Sequence, residues 1–199
     1  MTAKRLNTVN EYYFSKKLRE VAKMISEGKP VINMGIGSPD LPPHPDVVLA
    51  LKESFSYPKV HQYQSYQGIP ELRIAIAEFY LRHYHVAANP NGEILPLMGS
   101  KEGIMHISMA FLNPGDKVLI PNPGYPTYQS VTRLVEATPV FYDLSADNDW
   151  QPDLELLNQM DLSGIKLMWI NYPHMPTGAN ANQDIFKKLI DWARERKIL

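Results

Sequence analysis

The chain has 199 residues, 44% of them apolar and 21% charged, with a net charge of -1; it can bury a sizeable core, and it carries no basic footprint for nucleic acid or an acidic membrane surface. It contains no cysteine, which excludes disulfides, thiolate nucleophiles and Cys-ligated zinc. It has no run of about 18 apolar residues and no signal-peptide core near the N-terminus, so we expect a cytoplasmic protein that spans no membrane.

The first 84 residues are predicted to form three helices joined by turns. Apolar residues at helical spacing predict an amphipathic helix over 11–27, which ends at the stop signal Gly28-Lys29-Pro30. A second helix is predicted over 46–55, and a third over 70–84 because a proline suits its first turn. The segment 61–68 has few helix signals and is predicted to be a loop.

The rest of the chain alternates between strands and helices. Strands are predicted over 93–98, 117–120, 139–142 and 165–170, and helices over 101–112, 127–136, 153–160 and 183–196. This alternation predicts an α/β fold with an open, mostly parallel sheet, in which ligands bind at the carboxyl ends of strands. Residues 198–199 resemble the start of another strand, and because a compact domain rarely ends there we expect a truncated chain.

Gly99 lies where a predicted strand passes into a predicted helix. Backbone N–H groups and the positive end of the helix dipole are exposed at such a point, Ser100 adds a hydroxyl and Lys101 a charge, so this is a candidate anion site. A capped helix start with Ser100 as N-cap explains the same residues. The segment is not a P-loop, since no glycine stands at the required upstream spacing.

Two proline-rich turns follow predicted strands. The turn 121–128 can hold the ring of Tyr125 flat above a ligand, although an ordinary surface turn explains it equally well. In 171–178, two prolines and a glycine enforce a shaped loop between a strand and a helix. The turn Gly35-Ile36-Gly37 lacks the third glycine of the dinucleotide fingerprint. The six histidines form no metal signature, and no hydrolase elbow is present.

Six short motifs occur in the order and spacing of one enzyme family. They are Gly37-Ser38-Pro39-Asp40, Gly68-Ile69-Pro70-Glu71-Leu72-Arg73, Gly99-Ser100-Lys101, Asn113-Pro114-Gly115-Asp116-Lys117-Val118, Pro123-Gly124-Tyr125-Pro126 and Pro176-Thr177-Gly178. Together they resemble the class I/II aminotransferases of fold type I, which depend on pyridoxal 5'-phosphate (PLP). The resemblance implies a large domain with helices on both faces of the sheet, begun by residues 46–199, and an N-terminal arm with part of the small domain in residues 1–45.

The resemblance also implies a PLP site. Ser100 and the backbone of Gly99 and Lys101 would hold the cofactor phosphate, and Tyr125 would stack on the pyridine ring. Tyr63 would reach the phosphate bound by the partner subunit, which implies a homodimer with shared active sites.

Two further residues are implied to contact the substrate, and one position departs from the family. Gly37 would offer a backbone N–H to the substrate carboxylate, and Tyr12 resembles a substrate-contacting tyrosine of the diaminopimelate branch. Most relatives carry an asparagine that hydrogen-bonds the cofactor's 3-oxygen at the position of Met175, whose thioether accepts hydrogen bonds poorly and donates none. Either the cofactor is tuned differently here or Asn171 supplies the contact.

The implied function is a PLP-dependent transaminase that moves an amino group between an L-amino acid and a 2-oxo acid. Its Schiff-base lysine is expected beyond Leu199, because none of the lysines present lies in a matching motif. Met175 keeps another PLP chemistry open, such as that of a β-lyase. A non-catalytic binding module that retains the cofactor site without the lysine is also open.

The 199 residues alone are predicted to have no transaminase activity, because a PLP enzyme needs the lysine both to hold the cofactor and to move the proton. The measurement is 2-oxo acid formation by this chain with PLP and an amino-acid donor. Sustained turnover would show the expectation to be wrong.

Overall fold

The computed structural model describes residues 2–8, 11–35 and 37–199, so Ile36 of the predicted glycine turn lies outside the described residues. The chain divides into two compact units, one formed by residues 11–97 and the other by residues 1–10 together with 98–199. Within the described ranges, no helix combines the length and apolar character needed to cross a membrane.

The unit of residues 11–97 consists of three helices and the turns that join them. They are α1 (Tyr13–Ser26), α2 (Pro45–Ser54) and α3 (Pro70–Tyr84), which confirms the three predicted helices. Proline is the first residue of both α2 and α3, where its fixed φ suits the helix and its missing N–H has no partner to lose. The segment 61–68 between them is a loop, as predicted.

Residues 93–98 form no strand in the described structure, so that prediction is wrong. After Glu93 the segment is an apolar run, yet Leu95 and Leu97 are exposed. Pro96 has no N–H to donate to a ladder, and none of the described strands pairs with the segment. A short apolar run therefore predicts a strand only where a neighbouring strand is available for pairing.

The second unit is built on a parallel sheet of three strands in the order β2-β1-β3. The strands are β1 (Lys117–Asn122), β2 (Thr138–Asp143) and β3 (Ile165–Met168). β1 and β2 pair without interruption from Lys117 opposite Thr138 to Asn122 opposite Asp143, whereas the pairing of β1 with β3 shifts next to Lys117.

Helices cover both faces of this sheet, as predicted. They are α4 (Ser100–Phe111), α5 (Pro126–Leu134), α6 (Leu154–Gln159) and α7 (Gln183–Glu195), and two 3-10 helices, Lys4–Thr8 and Ala146–Asn148, belong to the same unit. Val118 and Ile120 of β1 pack in one apolar cluster with α4 and α5, and Leu119 packs in another with α6 and α7. This alternation follows from the two-residue period of a strand that is buried on both faces.

The last residue continues the sheet pattern beyond β3. The N–H of Leu199 donates to the carbonyl of Lys166 and its carbonyl accepts from the N–H of Met168, both at 2.9 Å. This is the hydrogen-bond pattern of a parallel ladder. It agrees with the predicted start of a strand at 198–199.

Leu119 is fully buried at the centre of β1. We expect Leu119→Ala to lower the free energy of unfolding by about 2–5 kcal/mol, because it removes buried apolar volume from a site enclosed by strands and helices. Leu156→Ala is the matched control, because Leu156 is 54% exposed, and it should cost less than about 1 kcal/mol. Urea unfolding of both variants measures the difference, and equal destabilisation would contradict the assigned core.

Candidate functional site

The carboxyl ends of β1 and β3 lie side by side, and the loops that follow them carry the candidate residues Tyr125, Asn171 and Met175. Tyr125 is the residue before α5, and its ring meets the ring of Tyr128 edge-on at 5.7 Å. Tyr128 in turn stacks on Trp169, just beyond β3, at 5.0 Å and 8°. A chain of three aromatic rings therefore joins the loop after β1 to the loop after β3.

The turn that presents Tyr125 depends on Gly124. A Cβ atom at this position would lie 2.3 Å from the backbone carbonyl oxygen of Pro121, far inside van der Waals contact. Only glycine permits the chain to turn this closely against the end of β1. The half-buried ring of Tyr125 is thus set by backbone geometry as well as by its contact with Tyr128.

Gly99, Ser100 and Lys101 form the beginning of α4. Gly99 is the N-cap with φ 98°, no side chain caps the helix, and Ser100 is already helical, so the interpretation of Ser100 as N-cap is wrong. The carboxylate of Glu102 accepts from the N–H of Met98, outside the helix, rather than from the first turn. The N-cap residue Gly99 has no side chain with which to cap the first N–H groups of this twelve-residue helix.

Lys101 brings the start of α4 next to the aromatic residues. Its Nζ lies 6.0 Å from the centroid of the Tyr125 ring, within the range of a cation–π contact. The structure therefore places the helix start and the Tyr125 ring together, which the sequence motifs alone left separate.

The loop after β3 contains polar atoms that are buried without a partner. They are Nε1 of Trp169, Oδ1 of Asn171 and Nε2 of His174. The Nδ2 of Asn171 donates to the carbonyl of Pro173 at 3.3 Å, and Met175 is 51% exposed. Buried polar atoms are normally hydrogen-bonded, so this edge of the sheet has donors and acceptors available for a ligand.

His174 is a residue of this loop that the sequence analysis missed. It is 3% exposed, and its Nδ1 forms a 2.8 Å hydrogen bond with Oγ1 of Thr177. Its backbone N–H donates to the carbonyl of Ala179, and its carbonyl accepts from the N–H of Gly178, both at 2.7 Å. His174 therefore closes the turn of the loop. No spacing rule pointed to it, because a histidine between prolines has no motif of its own.

Tyr12, Gly37 and Tyr63 belong to the unit of residues 11–97. Tyr12 precedes α1, and its ring lies 5.6 Å from that of Phe14. Gly37 is exposed, and no heavy atom lies within 4 Å of the place where its Cβ would be. Tyr63 is fully exposed. The placement of these three residues next to Ser100 and Tyr125 stays a prediction.

Metal chemistry finds no support in the part of the chain that the structure describes. Among residues 2–8, 11–35 and 37–199, no group of three or more His, Asp or Glu side chains is placed to hold an ion.

Burial lowers the pKa of His174, and the backbone of Pro123 opposes that effect without cancelling it. In the unfolded chain the pKa returns to about 6.5, so between the two values the unfolded chain binds a proton more readily than the folded one. We therefore expect the free energy of unfolding to fall as the pH is lowered through about 6.5 towards the folded-state pKa.

This pH dependence is measured by urea unfolding of the parent and of His174→Asn between neutral and mildly acidic pH. The free energy of unfolding of the variant should fall less as the pH is lowered, because asparagine does not titrate. His85→Asn is the control, since His85 is exposed and asparagine tolerates its left-handed φ of 56°. A decline of the same size in all three proteins would refute the assignment to His174.

Comparison with known proteins shows the family of this chain. The family model described as aminotransferase class I and II matches residues 29–199. An LL-diaminopimelate aminotransferase of Aquifex aeolicus is 40% identical over 195 residues, which cover 98% of this chain and 50% of that protein. Relatives of the same name from Syntrophobacter fumaroxidans and Desulforudis audaxviator are 39% and 40% identical.

Solved structures agree with these relatives. Apo-BacF from Bacillus subtilis superimposes with a TM-score of 0.92 at 38% identity, covering 100% of this chain and 51% of that one. The aspartate aminotransferase of Rhizobium meliloti gives a TM-score of 0.90 at 28% identity, covering 100% of this chain and 49% of that one. The chain thus spans about half the length of the relatives that it matches. Members of the matching family use pyridoxal phosphate as their cofactor. The chain belongs to the aminotransferase class I and II family.

Proposed function

We propose that this protein is a PLP-dependent transaminase that moves an amino group between an L-amino acid and a 2-oxo acid. The observation that carries the proposal is the closeness of the glycine-capped start of α4 to the ring of Tyr125, with 6.0 Å between Lys101 Nζ and the ring centroid. A phosphate site beside an aromatic ring suits a phosphorylated pyridine. A simple nucleotide site would need glycine fingerprints that this chain lacks.

The phosphate of PLP is assigned to the start of α4. The backbone N–H groups of Ser100 and Lys101 are directed along the positive end of the helix dipole, which favours an anion. Ser100 is exposed and supplies a hydroxyl donor, and the ammonium of Lys101 supplies positive charge. Gly99 has no heavy atom within 4 Å of the place where its Cβ would be, which leaves space for a ligand against the backbone.

The pyridine ring is assigned to Tyr125. Its edge-on contact with Tyr128 and the stacking of Tyr128 on Trp169 hold the Tyr125 ring in one orientation. A ring fixed in this way can stack on a planar cofactor at little cost in conformational entropy. The residues of this chain thus orient the cofactor, and PLP when bound supplies the electron sink for the reaction.

Asn171 is the candidate for the contact that Met175 cannot make. Its Oδ1 is buried and unpartnered, but an acceptor cannot bind the cofactor's 3-oxygen, which requires a donor. The two ends of an amide are nearly identical in shape, and rotating the Asn171 amide by half a turn would present Nδ2 from the same place. In that orientation the 3.3 Å hydrogen bond that Nδ2 now donates to the carbonyl of Pro173 would be lost, because Oδ1 cannot donate.

The substrate and assembly are proposed from the relatives. Several of them are named LL-diaminopimelate aminotransferases, which favours an acidic or diaminopimelate-like amino donor that would contact Tyr12 and Gly37. We further propose a cytoplasmic homodimer with shared sites, in which Tyr63 contacts the partner's cofactor. Residues 1–45 would form the N-terminal arm with part of the small domain, and residues 46–199 would begin the large domain. Proton transfer is not assigned to any lysine of this chain, because none lies in the family's lysine motif.

A β-lyase is the second candidate, and Met175 is the residue that favours it. A transaminase converts an amino donor to a 2-oxo acid and leaves the cofactor as pyridoxamine phosphate. A β-lyase acting on a cysteine-type substrate breaks the bond from Cβ to sulfur, consumes one water and releases the thiol, pyruvate and ammonia. Product analysis of the natively expressed, PLP-loaded protein separates the two reactions.

Removal of the Tyr125 ring tests the proposed site directly. We expect Tyr125→Leu to weaken PLP binding by about 2- to 10-fold, because an aromatic stacking contact contributes roughly 0.5–1.5 kcal/mol. Tyr125→Phe is the matched control, since it keeps the ring and should bind PLP like the parent. The measurement is a titration of the protein with PLP followed by absorbance. Unchanged affinity in Tyr125→Leu would show that the ring does not contact the cofactor.

A further inference from the structure

The loop of residues 61–68 presents two tyrosines to solvent. The side chain of Tyr63 is fully exposed, and that of Tyr66 is 92% exposed. Exposed aromatic rings gain nothing from the hydrophobic effect within their own unit. A loop that exposes both rings is expected either to be loosely held or to be fixed by other interactions.

The backbone of this loop is held at its first half by side-chain hydrogen bonds. His61 Nε2 donates to the carbonyl of Phe55, beyond the end of α2, at 3.0 Å. Gln64 Nε2 donates to the carbonyls of Lys59 and Gln62, each at 3.0 Å. Tyr63 therefore lies between His61 and Gln64, whose side chains donate hydrogen bonds to nearby backbone carbonyls.

Arg73 of α3 holds the second half of the loop. Its guanidinium donates through Nε to the carbonyl of Pro90 at 2.8 Å, and through Nη1 to the carbonyl of Gln67 at 3.4 Å and to that of Gly68. Gly68 closes the turn, since its N–H donates to the carbonyl of Ser65 at 2.9 Å. One side chain thus joins the end of the tyrosine loop to a second turn.

Arg73 is also the only buried residue among the described residues of its unit, at 8% exposure. Within that described part, no carboxylate forms an ion pair with it. Burial of a cation without a counter-ion is costly unless hydrogen bonds compensate for the lost water, and three carbonyls do so here. The rigid fork of arginine can reach carbonyls in different directions, whereas lysine offers a single charged centre.

We propose that Arg73 is a positioning residue that fixes the place from which Tyr63 contacts the phosphate of the partner subunit's cofactor. The inference rests on the proposed function, because it takes the phosphate contact of Tyr63 as given. Arg73 touches neither cofactor nor substrate and acts through the carbonyls of Gln67 and Gly68. Loss of those hydrogen bonds loosens the end of the loop, and an unfixed Tyr63 must be ordered each time it binds phosphate.

The test is a double-mutant cycle on PLP affinity in the natively expressed protein. We expect Arg73→Lys to weaken PLP binding about 5-fold and Tyr63→Phe to weaken it by a similar factor, because the first loosens and the second removes the same phosphate contact. In the Tyr63→Phe background, Arg73→Lys should change the affinity less than about 2-fold. Arg82→Lys is the matched control, since Arg82 lies on the same helix and is exposed, and its affinity should equal that of the parent.

The outcomes separate this inference from the proposed function. If Tyr63→Phe weakens binding and Arg73→Lys does not, Tyr63 keeps its role and the inference for Arg73 is wrong. If Arg73→Lys weakens binding equally in both backgrounds, Arg73 acts by another route and the inference is again overturned. If Tyr63→Phe has no effect, the phosphate contact is wrong and the role of Arg73 falls with it.

Ser65→Ala provides a second variant should Arg73→Lys fail to fold. The Oγ of Ser65 accepts from the N–H of Gln67 at 3.2 Å, so its removal loosens the same turn from an exposed position. We expect a weakening of PLP binding of about 2-fold that disappears in the Tyr63→Phe background. Equal weakening in both backgrounds, or none in either, would count against the proposal.

Discussion

The burial of β1 on both faces is the constraint on which the candidate site depends. Residues 118–121 are all buried, and α4 with α5 on one face and α6 with α7 on the other enclose them. A strand enclosed in this way cannot slip in register without moving an entire set of apolar side chains. Its carboxyl end is therefore fixed, and the loop that leaves it begins from a defined position.

The parallel arrangement of the strands also brings polar loop atoms together. Because β1 and β3 are parallel neighbours, the loops that follow them emerge at the same edge of the sheet. The ring chain from Tyr125 to Trp169 packs these loops together, and the unpartnered atoms of Trp169, Asn171 and His174 lie in the second loop. A parallel sheet thus supplies a rigid edge, and its loops supply the polar atoms that a ligand can use.

Much of this could be predicted from the sequence, for physical reasons that differ between residues. The alternation of strands and helices depends on local periodicity, so seven helices and three strands were placed near their observed positions. The segment 93–98 is a short apolar run with no pairing partner among the described residues, and a single sequence does not reveal pairing.

The cap of α4 and the role of His174 were missed because both depend on contacts that sequence spacing does not encode. Gly99 takes the N-cap position through its φ of 98°, which moves Ser100 into the helix. His174 is defined by its burial and by Thr177 three residues later, a pair that matches no general motif. The family resemblance implied the proposed roles of Ser100 and Tyr125, whereas their contacts were found only in the structure.

Two of the buried polar residues, one in each unit, hold loops that carry candidate cofactor residues. In the described part of the chain the buried polar residues are Arg73, Ser108, Thr132 and His174. Thr132 bonds the carbonyl of Tyr128 one helical turn earlier, which is an ordinary way to satisfy a hydroxyl within a helix. Arg73 and His174 instead bond loop atoms, and each of those loops carries a candidate cofactor residue. Apolar burial therefore fixes the sheet, whereas polar burial fixes the loops. A loop with few apolar residues cannot be held in place by an apolar core, so hydrogen bonds from buried polar residues hold the loops that carry the candidate site.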